Sequence, residues 1–494
     1  MNVVIVAGGL QTRFKELSCI PKVLLPSDNG KSILQRQYEY FDGMDTITLV
    51  VNKKFYDMTK AYVEVNRLNI DVVKSSNTNG SANTLASVYD WIPKKNVLFF
   101  WSDILFEDDK FEVNAPDEKC VVYTVDEKCY RYGVENGKIV NRSLSYDGNV
   151  PGIFYLRNVS DVLSRKTTDD NLDLIDLIKS KADEGMVVVS EGKIDAKIVE
   201  YKSLEDYQEI MSKTDVVKKF PTDIDIVYDE DEDMYVESNS TRMNNQLEYW
   251  KDFATTLHHT IDCSEYTYNI KTTISEDNLH SKVNVNFLEG YDVFDYTDEE
   301  QRSKFAKMVS DMCQYKINVP LGCMIHFVLK EWNGLPIQGP TSVSRMLVGY
   351  DFTRLQMIVD KLSELAMNDS CMDTFVLTHG NLNARNILYN KTTGDMIMIN
   401  PSPRYDNDKM YAPMCVDETD MFITLDGIDE KLRHHITQLD YPLDHHLCQY
   451  DDVTRATVIL RLLSIIGWFK DDIIKMNAIY NYCIVEATNL LGNE

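Results

Sequence analysis

The chain predicts an α/β region built on a mostly parallel sheet, followed by an α+β region that ends in long helices. Three observations predict it. Short apolar, β-branched runs alternate with helically spaced ones over about the first two hundred residues, the pattern of a parallel sheet with helices on both faces. A stretch with an acidic centre at 229–233, within VVKKFPTDIDIVYDEDEDMYVES, then reads as a linker or exposed loop. Beyond it, RLQMIVDKLSELAM, RATVILRLLSIIGWF and IIKMNAIYNYCIVEATNLL carry apolar residues at helical spacing. At 494 residues the chain is too long for one typical core. The expected divisions are 1–215, a linker at 216–235, and 236–494.

Taken in order, residues 3–6 (VVIV) are too short and too β-branched to favour helix and read as a buried strand. ITLVV (47–51), IDVVK (70–74) and NVLFFWSD (96–103) read the same way. SILQRQYEYF (32–41) and ANTLASVYDWI (82–92) have helical spacing between them. A cluster of strands follows at CVVYTV (120–125), YGVENGKIV (132–140) and PGIFYL (151–156), and the Glu-Asn-Gly turn makes the second a hairpin. SLEDYQEIMSK (203–213) is the last helix of the first region.

Composition narrows the function classes. Hydrophobic residues at 44% and charged residues at 26% describe a globular protein. A formal net charge of -27 argues against non-specific binding to nucleic acid or to an anionic membrane. No run of about 18 apolar residues occurs and the N-terminus enters a strand directly, so neither a membrane span nor a cleaved signal is expected. Ten cysteines, at 19, 120, 129, 263, 313, 323, 371, 415, 448 and 483, form no CxxC pair and suit reduced thiols in the cytoplasm. His434-His435 and His445-His446, near Cys448, read as a solvated helix face rather than a metal site.

The densest chemistry opens the chain: VVIVAGGLQTRFKELSCIPKVLLP. Ala7, Gly8 and Gly9 end a strand in a turn whose amides form an anion cradle, and Arg13 adds a cation suited to phosphate oxygens. Pro21-Lys22 follows within ten residues of Arg13. Two cations and a row of amides at the C-terminal edge of a parallel sheet would converge on a polyphosphate. Gly9, Thr12, Arg13 and Lys22 resemble the signature of the nucleotidyltransferases that activate sugar phosphates and phosphocholine-like alcohols, whose domain is Rossmann-like. Gln11 stands where that turn usually has a second glycine, and it is expected to crowd the phosphate loop.

The resemblance extends further. In NTNGSANTL, Gly80, Ser81 and Ala82 match the base-reading segment, which implies that Gly80 and Ser81 bring donors to the nucleobase. FFWSDILF matches the strand that ends in a metal-binding aspartate, here Asp103, which implies Mg²⁺. VPGIFYL matches the acceptor-side strand, with Gly152 near the sugar or alcohol. In VEYKSLEDY, Glu200 takes the place of a second metal aspartate; an exposed strand residue is the alternative. The implied reaction is attack by an acceptor phosphate on the α-phosphorus of an NTP, with pyrophosphate leaving. Arg13, Lys22 and Asp103 would be its catalytic residues. The short acceptor region leans towards CTP, or UTP, and the acceptor would be a phosphorylated sugar or alcohol used in surface glycan or polysaccharide synthesis.

A second dense segment is FVLTHGNLNARNILYNKTTGDMIMINPSPRYDND (375–408). His379, Gly380 and Asn386 resemble the catalytic loop of aminoglycoside phosphotransferase and choline kinase-like enzymes, which implies an α+β protein kinase-like fold for 236–494. Asn381 and Asn400 stand where those enzymes have their catalytic and metal aspartates. An amide cannot take a hydroxyl proton as a carboxylate can, so phosphotransfer is expected to be lost. DETDMF (417–422), Asp406 or Asp408 would be the substitutes if it were retained. KVNVNFLEGYDVFDY (282–296) reads as a strand and hinge, with Lys271 and Lys282 as candidate phosphate-binding lysines. The expectation is a nucleotidyltransferase carrying a degenerate kinase-like region as sensor, scaffold or surface for a homo-oligomer. A bifunctional kinase–nucleotidyltransferase and a nucleotide-binding regulatory protein without turnover are the alternatives.

Overall fold

The computed structural model describes residues 1–77, 79–107, 117–126, 130–142, 144–166, 172–214, 226–227, 235–238, 249, 253, 270–274, 281–285, 291–314, 316–317, 341–367, 375–401, 411–413, 415–434, 438–439, 447 and 450–492. Its first region runs β1 (Asn2–Ala7), α1 (Ile33–Tyr40), β2 (Thr46–Asn52), α2 (Tyr56–Val65), β3 (Asp71–Ser75), α3 (Ser81–Ser87), β4 (Lys95–Trp101) and β5 (Ile104–Phe106). It continues with β6 (Cys120–Thr124), β7 (Tyr132–Glu135), β8 (Lys138–Asn141), β9 (Ile153–Asn158), α4 (Leu174–Asp183), β10 (Val189–Lys193), β11 (Ile198–Glu200) and α5 (Leu204–Ser212).

Among the described residues these build a seven-stranded sheet of order β10-β6-β9-β4-β1-β2-β3. The expected mostly parallel sheet is present: β1 pairs in parallel with β2 and β4, β2 with β3, and β6 with β10. β9 alone runs antiparallel, between β4 and β6. The β1 sequence explains its central place. Val3 and Ile5 pack into one core and Val4 and Val6 into another, on opposite faces, so both faces must be covered. α1 begins where Ser32 and Gln35 form a capping box.

Two expectations need correction. The helix expected over 82–92 ends at Ser87 and gives way to a 3-10 turn at Tyr89–Trp91. The Ser87 hydroxyl donates back to the Thr84 carbonyl at 2.7 Å, competing with the helical ladder. The strand-and-hinge at 282–296 is two strands in different sheets: Ser281–Val285 pairs with Ile270–Ile274, and Tyr291–Val293 with Ile387–Asn390. Most of the expected linker, and the side chains of Lys271 and Lys282, lie outside the described residues; Ile226–Val227 and Tyr235 stand in a four-stranded sheet.

The C-terminal helices Phe352–Met367, Asp452–Ile465 and Ile473–Leu491 form as the apolar spacing predicts. Their buried residues Leu362, Leu463 and Ile474 belong to the same hydrophobic cluster as Val3, Ile5 and Phe41, so the two regions share one core. Polar contacts close the seam: Arg345 pairs with Glu64 at 2.9 Å, and the Tyr62 hydroxyl donates to the Asp471 carbonyl at 3.2 Å. Among the described residues no helix is long and apolar enough to cross a membrane.

Candidate active site

The C-terminal edge of β1 opens into a cavity of about 1020 Å³. Ala7, Gly8, Gly9, Gln11, Thr12, Arg13 and Lys22 form one part of its wall. The two glycines have different reasons to be glycine. A Cβ on Gly8 would stand 2.4 Å from Thr84 Cγ2, so its absence lets α3 pack against the turn. A Cβ on Gly9 would meet nothing within 4 Å, so its bareness leaves the cavity side of the turn open. Gln11, expected to crowd the loop, lines the cavity and is held in place. Its backbone is left-handed (φ 59), and its side-chain oxygen accepts from the Lys22 amide at 2.7 Å, bracing the segment that carries the lysine. Arg13 and Thr12 are exposed, and Arg13 makes no ion pair with a described residue.

Opposite the turn, charge converges. Lys22 Nζ lies 2.8 Å from Asp103 Oδ2 and donates to the Tyr201 carbonyl at 3.1 Å. Asp103 sits in the turn between β4 and β5, and β11 pairs antiparallel with β5, bringing Glu200 alongside. Burial and, second, the Asp103 charge push the Glu200 carboxyl up to about 7, against the pull of Lys202 at 3.1 Å and of Lys22. Glu200 is therefore no exposed strand residue. Two acids that repel one another beside this cavity are hard oxygen donors of the kind Mg²⁺ takes. No group of three or more His, Cys, Asp or Glu among the described residues would hold a metal alone. Phosphate oxygens and water would have to complete the shell.

The far wall holds two of the remaining sequence candidates, Gly80 and Ser81, and several residues that motif reading missed. Gly80 and Ser81 line the cavity; Ala82 is wholly buried in α3, its amide donating to the Leu172 carbonyl. The Ser81 hydroxyl and amide are both taken by Asp173, each at 3.2 Å, so its donors face a carboxylate rather than open space. Gly152 (φ 109) is not part of the lining; a Cβ there would stand 2.2 Å from the Trp101 ring, so Gly152 seats the indole that lines the cavity instead. Tyr130, Arg131, Tyr132, Tyr146 and Lys202 complete this wall. Lys202 lies over the Tyr130 ring at 5.2 Å and Arg131 over Tyr132 at 5.0 Å. The tyrosine–arginine alternation at 130–132 was the available signal.

The asparagine loop forms a second, closed constellation. His379, Asn381, Asn386 and Asn400 are all buried. Asn381 donates to the Asn400 carbonyl at 3.2 Å and accepts from Asn383 at 3.1 Å, while its own carbonyl accepts from Asn386 at 2.9 Å. Asn400 Nδ2 reaches Asn386 Oδ1 at 3.4 Å. Asp417, a candidate substitute carboxylate, accepts from the amides of His379 and Gly380 at 2.6 and 2.8 Å, and Asp420 pairs with Arg461 at 3.0 Å. Asp406 and Asp408 lie outside the described residues, as do His435, His445, His446 and Cys448. His434 is an exposed helix-end residue beside Glu430. The neighbouring cavity, lined by Asn381, Asn383 and Asp429, measures about 30 Å³.

No protein-family model matches the chain, and no curated protein matches it. Among solved structures it is similar to the inositol-1-phosphate CTP transferase from T. maritima, at 18% identity and a TM-score of 0.36, over 43% of this chain and 95% of that one. It is also similar to a UDP-glucose pyrophosphorylase complexed with UDP-glucose, at 17% identity and a TM-score of 0.33, over 42% of this chain and 96% of that one. A third is the nucleoside-diphosphate-sugar pyrophosphorylase from Vibrio cholerae RC9, at 12% identity and a TM-score of 0.35, over 43% of this chain and 100% of that one.

Proposed function

We propose that the chain is a nucleotidyltransferase that joins an NTP to a phosphorylated sugar or alcohol and releases pyrophosphate. The observation that carries this reading is the meeting of Lys22, Asp103 and Glu200 in one cavity with the glycine turn and Arg13. An oxygen of the acceptor phosphate forms a bond to the α-phosphorus, the bond from that phosphorus to the bridging oxygen breaks, and pyrophosphate leaves with the electron pair. The amides of the turn cradle the triphosphate, and Arg13 holds its β- and γ-phosphates and the leaving pyrophosphate. Lys22 binds the α-phosphate or the acceptor phosphate, aligning the two for attack. Asp103 and Glu200 would hold Mg²⁺, which when bound neutralises phosphate charge.

The product on this reading is an NDP-sugar or a CDP-alcohol, made from CTP or UTP for surface glycan synthesis. The region from 236 onward is a kinase-like fold whose phosphotransfer is lost, because amides occupy the two carboxylate positions and bond to their own loop. Pyrophosphate release tests the whole reading. Protein with Mg²⁺ is offered each NTP against a panel of sugar 1-phosphates and phosphoalcohols, with Lys22→Ala as control. Release with one pair, lost in the control, establishes the activity and names the product. Silence across the panel, with nucleotide still raising the melting temperature, overturns it in favour of a regulatory nucleotide-binding protein.

A further inference from the structure

Asp173 stands at the N-cap of α4, yet its side chain makes no bond within its own helix. It turns to α3, whose N-cap is Gly80 and so has no side chain to offer. Asp173 Oδ1 accepts from both the amide and the hydroxyl of Ser81 at 3.2 Å, and the Ser81 hydroxyl in turn accepts from the Leu174 amide at 2.9 Å. Each helix thus supplies the cap the other lacks, a reciprocal arrangement between residues 92 positions apart. The second oxygen, Oδ2, faces Arg131 Nη1 at 3.7 Å. Gly80, Ser81, Asp173 and Arg131 all line the same cavity. One carboxylate therefore joins the Gly80–Ser81 turn on one side to the arm carrying Arg131 on the other.

We propose that Asp173 is a positioning residue that fixes the nucleotide-side Gly80–Ser81 turn through Oδ1. This rests on the nucleotidyltransferase reading of the cavity. Removing the carboxylate releases the Ser81 amide and hydroxyl, so the turn must be ordered at the expense of nucleotide binding. Removing its charge alone leaves an oxygen for Ser81.

Two substitutions test this role. Asp173→Ala raises the KM and the calorimetric Kd for the NTP about fivefold to tenfold, with kcat within about threefold of the parent, as loss of a cap without loss of a reacting group requires. Asp173→Asn, which keeps an oxygen for Ser81, restores the NTP constants to within about threefold. An unchanged NTP Kd in Asp173→Ala, or an Asp173→Asn variant as impaired for NTP as Asp173→Ala, overturns the proposal. Should Asp173→Ala not fold, Asp173→Ser, which keeps an N-cap for its own helix but is too short to hold Ser81, decides it, since an unchanged NTP Kd there overturns it. A parent protein that binds NTP but never releases pyrophosphate sinks the enzymatic reading, and the Kd comparison still tests Asp173. A parent that binds no NTP sinks both.

Discussion

The glycine-turn cavity and the asparagine loop are both dense motifs in sequence, and the fold treats them in opposite ways. At the first, about 1020 Å³ of open space is bordered by Arg13, Lys22, Arg131 and Lys202 and by the carboxylates of Asp103, Asp173 and Glu200. At the second, the loop closes on itself through amides: Asn381, Asn383, Asn386 and Asn400 bond to one another beside a cavity of about 30 Å³, and its carboxylates are held by backbone amides or by Arg461. Charge held at a cavity under strain, as Glu200 is, is costly to the fold and useful to a ligand. Amides that satisfy each other stabilise the fold and leave little for a ligand to complete. A substitution should therefore cost activity at the first site and stability at the second.

The largest expected effect is at the first site. Asp103→Asn and Lys22→Ala each lower the rate of pyrophosphate release by at least about 100-fold, the size lost when one charged transition-state contact is removed. Their urea midpoints stay within the range of ordinary surface substitutions, because both side chains border the cavity rather than the core. A variant that keeps more than a tenth of the parent rate would mean that the charge cluster is structural.

At the second site the largest effect is a dependence of stability on pH. Asp429 is buried beneath the loop, where it accepts from the Ala384 amide, and burial pushes its carboxyl up to about 6. A native state that holds this proton more tightly than the unfolded chain is fully stabilised by it at pH below about 4. That contribution is lost as pH rises to about 6 and is flat above. Against Asp429→Asn, which cannot ionise, the parent should lose roughly 3 kcal/mol between pH 3 and 7 in denaturant titrations. Parallel curves for the two proteins would place the ionised form comfortably in the fold, contrary to its burial.

Asn381→Ala comes next. It removes a buried side chain that donates to Asn400 and accepts from Asn383, and the groups left behind are buried too. A loss of about 2 kcal/mol in urea unfolding is expected, with pyrophosphate release unchanged well below the unfolding midpoint. ATP-dependent phosphorylation of an alcohol by the parent, abolished by His379→Ala, would reverse the contrast between the sites.

The same contrast governs what could be read from sequence. Gly8, Gly9, Arg13 and Lys22 lie within one short segment that follows directly on β1, so their meeting at its C-terminal edge was legible. Asp103 was legible as a strand-end acid. Glu200 was uncertain because its burial depends on the pairing of β11 with β5, which no local pattern announces. Asp173 and Arg131 were missed outright, since Ser81 and Asp173 meet only through tertiary packing of two helices. The size of Gln11 can be read from sequence, whereas the left-handed backbone that turns its side chain onto the Lys22 amide cannot. The sharing of one core by the two regions was equally invisible, as apolar spacing shows which face is buried and not what buries it.

The smallest effects lie in the turn itself, where neighbouring glycines should answer differently to the same added methyl. Gly8→Ala puts a Cβ against the Thr84 side chain, which is fixed because its hydroxyl also donates to the Asn77 carbonyl at 3.2 Å. Neither the strand-end backbone nor α3 can give way cheaply, so a loss of about 1–2 kcal/mol is expected, most of it recovered by Thr84→Ala in the same chain. Gly9→Ala meets open space, and its φ lies outside the left-handed range that penalises alanine. Its stability should move by less than about 0.5 kcal/mol. If Gly9 is bare so that a triphosphate can approach the backbone, the same methyl that leaves stability alone should weaken NTP binding in calorimetry. Equal stability losses at both positions would mean that the turn is held by its own conformation rather than by Thr84. An unchanged NTP affinity in Gly9→Ala would remove the turn from the nucleotide site.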